Sequence, residues 1–236
     1  VSGIPLALVG LGKMGRALAA LAPEHGFEVV SELDATRPDY RGISSESLRG
    51  AHVAIEFTTP DAAADNVRAC LRAGCPVVVG TTGWYEQRPD VAAEADRLGG
   101  AMLSAPNFSI GVAVFDRVVA EAARLIAPLS RFDAHMVEVH HAAKRDAPSG
   151  TAGALAASAE QELGRPIPIT SVRTGHVPGT HEIIFDAPFE QIRLVHEARD
   201  RRVFAEGALL AARWLIGKRG VFSLQDMLAA PTGAAS

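Results

Sequence analysis

Cysteine, aromatic residues and basic charge are all scarce in this chain, and each scarcity closes off a class of protein. Two cysteines, Cys70 and Cys75, in 236 residues cannot form a disulfide framework. Their spacing fits no common zinc pattern, and no His/Cys/Asp/Glu set in the sequence has metal-ligand spacing, so no metal is expected. They read as two small buried thiols in a reducing cytosol. Aromatic residues make up 6% of the chain, so Ala, Val and Leu must do most of the packing. A net charge of −4 without any local basic run argues against a nucleic-acid partner. No apolar run reaches bilayer length. The first residues, Val1 to Pro5, show no basic leader and are expected to run straight into a strand. The expectation is therefore a cytoplasmic protein with no membrane or nucleic-acid partner. A Gly-x-Ser-x-Gly elbow is also missing, which leaves acyl transfer unsupported.

What is present begins with a 48% hydrophobic composition, ample for one large domain or two modest ones. Pro5–Val9 reads as an apolar strand and Ala17–Leu21 as a helix. Between them lies Gly10-Leu11-Gly12-Lys13-Met14-Gly15, the G-x-G-x-x-G pattern in its required strand-to-helix setting. Gly10 allows the tight turn, Gly12 lets backbone approach a pyrophosphate, and Gly15 lets helix and strand pack closely. Phe27–Leu33 reads as the second strand. Asp34 ends it, about twenty residues beyond the glycines, where a carboxylate accepts from the adenosine ribose hydroxyls. Such an acid repels a 2′-phosphate and favours NADH. Arg37 pulls the other way, and Glu32 is a rival position for the acid.

Strand and helix patterns then alternate. Strands are expected at Ala51–Phe57, Pro76–Gly80 and Gly100–Ser104, with helices at Asp61–Ala73 and from Gly83 to about Leu98. The near-pure valine of Val77–Val79 suits a parallel sheet covered on both faces. Thr58, Thr59, Gly80, Thr81, Thr82 and Asn107 fall just past strand carboxyl ends, the edge at which open α/β sheets bind ligands.

Past Asn107 the pattern changes. Ser109–Ile126 reads as one long helix. Strands follow at Phe132–His141, Ile169–Thr174, His181–Asp186 and Gln191–Ala198, with one helix, Ala152–Leu163, among them. That order indicates an α+β domain with a mixed or antiparallel sheet. Phe204–Ile216 is an apolar helix, and Pro231–Ser236 is expected to be a disordered tail. The chain thus divides into a Rossmann-type α/β domain with a parallel sheet, residues 1–108 and 213–236, and an α+β domain, residues 109–212. Hinges are expected near Asn107–Ser109 and Ala205–Gly207.

The densest chemistry lies between the first strand and the helix of that second domain. Glu138-Val-His140-His141-Ala-Ala-Lys144-Arg145-Asp146-Ala-Pro148-Ser149-Gly150-Thr151 places proton carriers beside a helix start. A helix start leaves backbone N–H groups without partners and attracts anions, carboxylates included. Ser149 or Thr151 caps the helix, and Gly164 with Pro166 stops it. His140–Ala152 resembles the HHxxKxDAPSGTA signature of the dihydrodipicolinate reductase (4-hydroxy-tetrahydrodipicolinate reductase) family, complete at the signature positions.

The resemblance extends to the first half. Glu56-Phe-Thr58-Thr-Pro60 is similar to the family's acid-Phe-Thr-x-Pro turn. Gly80-Thr81-Thr82 and Ala105-Pro106-Asn107-Phe108-Ser109 resemble its two cofactor loops. Many members carry a glycine run one residue longer, which leaves open which amides of the Gly10–Gly15 loop hold the pyrophosphate. The resemblance implies NADH- and/or NADPH-dependent reduction of a cyclic dicarboxylate ring in lysine and diaminopimelate synthesis. It implies His140 as proton donor, assisted by Lys144. It implies substrate carboxylates held by His141, Gly150 and Thr151, cofactor binding by Thr58 and the two loops, and a homotetramer. Asp146 is expected to orient the loop, and no role is assigned to Arg145.

Two other readings stand beside this one. A dehydrogenase acting on aspartate or diaminopimelate would share the nucleotide half but has no need of His-His-x-x-Lys before Asp-Ala-Pro-Ser-Gly-Thr. A nucleotide-binding regulator could keep the glycine loop and lose His140 or Lys144, yet both are present.

Overall fold

The computed structural model describes residues 3–229, and the expected tail at Pro231–Ser236 lies outside them. In chain order it runs β1 (Ile4–Val9), α1 (Lys13–Leu21), β2 (Phe27–Leu33), β3 (Val53–Glu56) and α2 (Pro60–Arg72). Next come β4 (Val77–Val79), α3 (Arg88–Leu98), β5 (Ala101–Ser104), α4 (Ile110–Ile126), β6 (Asp133–His140) and α5 (Gly150–Leu163). The chain ends with β7 (Ile169–Arg173), β8 (Thr180–Ala187), β9 (Glu190–Glu197), α6 (Arg202–Leu215), β10 (Gly220–Phe222) and α7 (Leu224–Ala229). The described residues form two compact units, 3–108 with 204–229, and 109–203.

The first unit carries a six-stranded sheet in the order β10-β5-β4-β3-β1-β2, parallel at every pairing. Such a sheet is buried on both faces, which the inward and outward residues of Val53–Ile55, Val77–Val79 and Ala101–Leu103 satisfy by being apolar throughout. Strand order reverses at β1, so the loops after β1 and β3 open a crevice at the carboxyl edge. Pro60 starts α2 with a preset backbone and no missing donor. Gly99 closes α3 in the left-handed conformation. Helix α1 begins at Lys13, directly after Gly12 and earlier than the apolar pattern suggests. Residues 34–52 carry turns where a helix is common in such folds.

The returning segment of this unit starts at Phe204, ahead of the expected 213. Its helix buries Ala205, Ala208, Leu209, Ala212 and Leu215. Arg213 lies over the Phe27 ring at 5.3 Å and donates to the His25 carbonyl, which ties the helix to the start of β2. Trp214 and Phe222 meet edge to face at 5.1 Å.

The second unit carries a mixed sheet in the order β7-β6-β8-β9, with β6 parallel to β7 and antiparallel to β8. Helices α4 and α5 cover one face. Phe115, Val119, Ala123 and Ile126 from α4 and Ala152, Leu155, Ala156 and Ala159 from α5 pack on Met136, Ile183 and Phe185. Ser109 and Ser149 cap the two helices by accepting from Val112 N and Ala152 N, at 3.2 and 3.1 Å. Gly164 ends α5 in the left-handed conformation, as its place after the apolar pattern suggested.

Candidate active site

In the first unit the glycine loop sits where β1 gives way to α1. Gly10 adopts a φ of 92°, and a Cβ there would stand 2.1 Å from the Phe57 carbonyl oxygen. A Cβ on Gly15 would stand 2.0 Å from the Gly10 carbonyl oxygen. Gly12 is the opposite case. Nothing lies within 4 Å of where its Cβ would be, and it stands at the N-cap of α1 without any side-chain cap. Two glycines are thus required by the protein's own packing, while the third leaves open space before the free N–H groups of a helix start. That arrangement fits a pyrophosphate. Leu11, Lys13 and Met14 lie on the same loop, with Lys13 exposed.

Asp34 lies at the end of β2, and its carboxylate is already engaged. Oδ2 accepts from Leu11 N at 2.8 Å, and Oδ1 accepts from Thr36 N and Oγ1 at 2.9 and 2.7 Å. The Thr36 side-chain bond, followed by the two backbone bonds, holds its pKa below the ordinary value. Asp34 therefore braces the glycine loop and retains lone pairs for a ligand. Beside it a pocket of about 310 Å³ is lined by residues including Glu32, Arg37, Asp39, Arg41 and Glu46. Arg37 is turned to Asp39 at 3.2 Å and to Glu32 at 3.7 Å.

The loops after β3 and β4 are joined. Thr58 N donates to Thr81 Oγ1 at 2.7 Å, and Thr58 Oγ1 donates to the buried Glu56. Burial, the largest influence, raises the Glu56 pKa. A Cβ on Gly80 would meet the Phe57 ring at 2.1 Å, and Phe57 in turn packs on Phe108 at 6.1 Å. Thr82 and Pro106 are exposed, Asn107 is half-buried, and Ala105 and Phe108 are buried. Trp84 Nε1 donates to the Thr81 carbonyl at 2.9 Å, which fixes the loop from below.

The second unit gathers His140, His141, Lys144, Gly150 and Thr151 around the end of β6 and the start of α5. His140 is 7% exposed. Its Nδ1 meets Glu138, which is 0% exposed. Glu138 Oε1 accepts from Arg173 Nη2 at 2.5 Å and from Ser149 N at 3.3 Å. Arg173 Nη2 also donates to the Asp146 carbonyl at 2.7 Å, which holds the signature loop onto β7. Lys144 Nζ donates to both Asp146 carboxylate oxygens at 2.8 and 2.9 Å, so Asp146 does hold the loop's cation. His141 Nε2 lies 2.8 Å from Arg201 Nη2, and its backbone N donates to the Val177 carbonyl. The first turn of α5 is open at Gly150, where a Cβ would have no neighbour within 4 Å.

The electrostatics follow from burial and neighbours. Burial lowers the His140 pKa, Glu138 works against it, and Lys144 and Arg173 add to the lowering. His181 packs edge-on to His140, ring centroids 5.2 Å apart, and burial, aided by His140, brings it to about 4. Burial would raise Glu138, but Arg173, Ser171 and His140 outweigh it and hold the carboxyl at about 2. The pair is thus a carboxylate against an imidazole that is readily neutral at neutral pH.

Glu138, Arg173, Ser149 and His181 join the site through the fold: Arg173 and Ser149 bond Glu138, and His181 packs on His140. Glu138, His140 and His181 bring ligand-type atoms within 4.8 Å of one another, although no sequence spacing shows it. The Arg173 guanidinium already supplies a cation there, and no metal is assigned. His176 is exposed in the loop between β7 and β8. The one available signal was the alternation in β6, which puts Glu138 and His140 on the same face as the core residue Met136.

Comparison with known proteins covers both units. The family model for the dihydrodipicolinate reductase N-terminus matches residues 4–108, and that for its C-terminus matches residues 111–228. The chain is 32% identical over 237 residues to a 4-hydroxy-tetrahydrodipicolinate reductase of Christiangramia forsetii, covering 94% of this chain and 97% of the relative. It is 39% identical over 193 residues to that of Methanoculleus marisnigri, covering 75% of each. Among solved structures, a dipicolinate-bound dihydrodipicolinate reductase from Paenisporosarcina sp. TG-14 superposes with a TM-score of 0.79 at 25% identity, covering 94% of this chain and 97% of that one. The diaminopimelate dehydrogenase of C. glutamicum, with a TM-score of 0.57 at 14% identity, covering 99% of this chain and 97% of that one, shares the fold.

Proposed function

The chain belongs to the dihydrodipicolinate reductase family, and from that membership we infer that it is an NAD(P)H-dependent oxidoreductase of lysine and diaminopimelate biosynthesis. It reduces the 4-hydroxy-tetrahydrodipicolinate/dihydrodipicolinate ring to tetrahydrodipicolinate. The observation that carries the site assignment is the buried His140, set on a carboxylate beside an open helix start.

The loop Gly10–Gly15 holds the cofactor pyrophosphate at the start of α1, with Thr58, Gly80, Thr81 and Thr82 and the Ala105–Phe108 loop completing the edge. A bound reduced nicotinamide supplies hydride to ring C4 of the substrate. The ring is an α,β-unsaturated imine after water loss, so charge moves toward its nitrogen and a proton must reach the carbon next to C4. His140 delivers that proton: burial lowers its pKa from the ordinary imidazole value, and the Glu138 carboxylate works against that lowering and favours the protonated ring. Lys144, steadied by Asp146, is the assisting donor. The backbone N–H groups at the start of α5, at Gly150 and Thr151, with His141, hold the carboxylates.

Cofactor preference follows from the pocket beside Asp34. Four acids face two arginines there, and Arg37 is committed to two of those acids. A 2′-phosphate dianion meets net repulsion, so NADH is the preferred donor. The protein works in the cytoplasm as a homotetramer. The sheet face away from α4 and α5 supports the assembly, because it leaves Val172 and Val195 37% and 54% exposed, and a second copy would cover them.

The test is oxidation of NADH and NADPH with freshly made synthase product, against aspartate and diaminopimelate as alternative substrates. His140→Gln and Lys144→Ala each lower kcat by about 10²-fold or more while nucleotide binding persists. Full turnover in His140→Gln removes the proton-donor assignment.

A further inference from the structure

The proton donor lies one level beyond a row of polar and ionisable groups that crosses the second sheet. Ser171 of β7 pairs with Glu138 of β6, Glu138 pairs with His181 of β8, and His181 pairs with His196 of β9. Arg173 and His140 pair one step further along the same two strands. Within this row Glu138 is the one carboxylate, and it is fully buried. Its two oxygens do different things. Oε1 accepts from Arg173 and from the backbone N of Ser149, the residue that caps α5. Oε2 lies against His140 Nδ1, and neither of those two atoms has a hydrogen bond to any other group. The far side of the ring is confined as well: a Cβ on Gly179 would stand 3.0 Å from His140 Nε2.

We propose that Glu138 is the positioning residue of the reaction: held ionised by Arg173, it keeps the His140 proton on Nδ1 and thereby presents Nε2 as the atom that delivers the proton. It acts through His140, and so rests on the assignment of His140 as donor. The physical reasoning is that of any carboxylate behind an imidazole. A negative charge against Nδ1 selects the Nδ1–H tautomer of the neutral ring, and it favours the imidazolium that carries the second proton on Nε2. Because Ser149 N also donates to Glu138, the same carboxylate sets both the ring and the start of the helix assigned to the substrate carboxylates.

The groups facing His140 are Glu138 on its own strand, Arg173 from β7, His181 from β8 with His196 of β9 behind it, and Lys144 with Asp146 from the signature loop. Glu138 favours the protonated ring, while burial, Lys144 and Arg173 oppose it. The sign of the pH effect follows. A general acid is lost as pH rises through its pKa, so removing the Glu138 charge moves the alkaline limb of kcat to lower pH.

The experiment is a pH profile of kcat and KM for wild type, Glu138→Gln, Glu138→Asp and His140→Gln. Melting and nucleotide titration are run alongside. Glu138→Gln is expected to lower kcat by about 10²-fold and shift the alkaline limb to lower pH, with nucleotide affinity within about twofold of wild type. Glu138→Asp restores the charge and part of the limb. A separate measurement needs no variant: ¹⁵N shifts of His140 in the wild-type chain should show the neutral ring protonated at Nδ1. An Nε2–H ring, or a Glu138→Gln profile identical to wild type while His140→Gln is inactive, overturns the inference and leaves the donor assignment standing. An active His140→Gln removes both.

Discussion

Replacing Arg173 by methionine isolates the cost of a buried charge without touching the proton donor. Met keeps most of the side chain's bulk and removes the guanidinium that lies 2.5 Å from Glu138 Oε1 and 2.7 Å from the Asp146 carbonyl. Glu138 has no solvent exposure, so no water replaces the lost partner. Burial raises this carboxyl, and Arg173 leads the influences that bring it from 4.5 to about 2. At about 1.4 kcal/mol for each unit of pKa, that range corresponds to roughly 3 kcal/mol. The independent expectation for removing one partner of a buried ion pair is about 3–5 kcal/mol. For a chain of this size each kcal/mol moves the melting temperature by about 2–4 °C, so roughly 6–12 °C is expected at neutral pH. The sign with pH follows from the two states. In the parent, the depressed pKa contributes stability that is present above the unfolded value near 4.5 and is lost as pH falls through about 2. In the variant, burial acts with less opposition, the folded pKa rises, and the penalty disappears once the carboxyl is protonated. Melting followed by circular dichroism should therefore show a gap that is widest at neutral pH, shrinks as pH falls and closes only near about pH 2. A gap that does not change with pH, or none at neutral pH, refutes the reasoning.

The glycine loop separates packing from binding. Gly12→Ala has open space and an ordinary φ of −65°, so its melting temperature stays with wild type while nucleotide affinity falls. Gly15→Ala presses a methyl onto the Gly10 carbonyl and should cost about 1–3 kcal/mol of stability; a Gly12→Ala chain that binds nucleotide normally would sink the assignment of that space. Cys70 and Cys75 are buried, and burial pushes both thiols up, Cys75 to about 12. Neither should react with a thiol reagent in the native protein at neutral pH, and both should react after unfolding.

Much of the fold was legible because parallel strands and their helices announce themselves locally. The valine run of β4, the glycines after β1 and the Ser-Gly-Thr start of α5 each carry their own signal within a few residues. Boundaries drifted where local signal is weak. Helix α1 begins at Lys13, since the glycine turn itself launches it, and the first unit resumes at Phe204, since Arg213 of that helix is bound to β2 from a distant part of the chain. The signature loop was legible for the same local reason. Its partners were not. Arg173 reaches Glu138 across 35 residues, and His181 reaches Ser149 across 32. Those meetings exist only once the strand order and register are known. The commitment of Asp34 to Leu11 N was hidden similarly, because it depends on how β2 sits beside β1.

The second sheet shows how one alternating pattern serves two purposes. On the face beneath α4 and α5, β6 presents Ala134, Met136, Glu138 and His140, while β8 presents Phe185, Ile183 and His181 at the same levels. Strand β9 follows with Ile192, Leu194 and His196. Two successive levels are apolar, with Ala134, Met136, Phe185, Ile183 and Leu194 packed beneath the helices, and the next is ionisable in all three strands. The change falls at one end of the sheet, next to the start of α5, although the strands run in opposite directions. Register alone can bring this about, since a slip of one residue would turn Glu138 and His181 to the other face. The apolar levels therefore do more than stabilise. By fixing the register they bring Arg173 of β7 and His181 of β8 up to the Glu138–His140 pair, so packing in this unit and the geometry of its proposed chemistry are set by the same pairing.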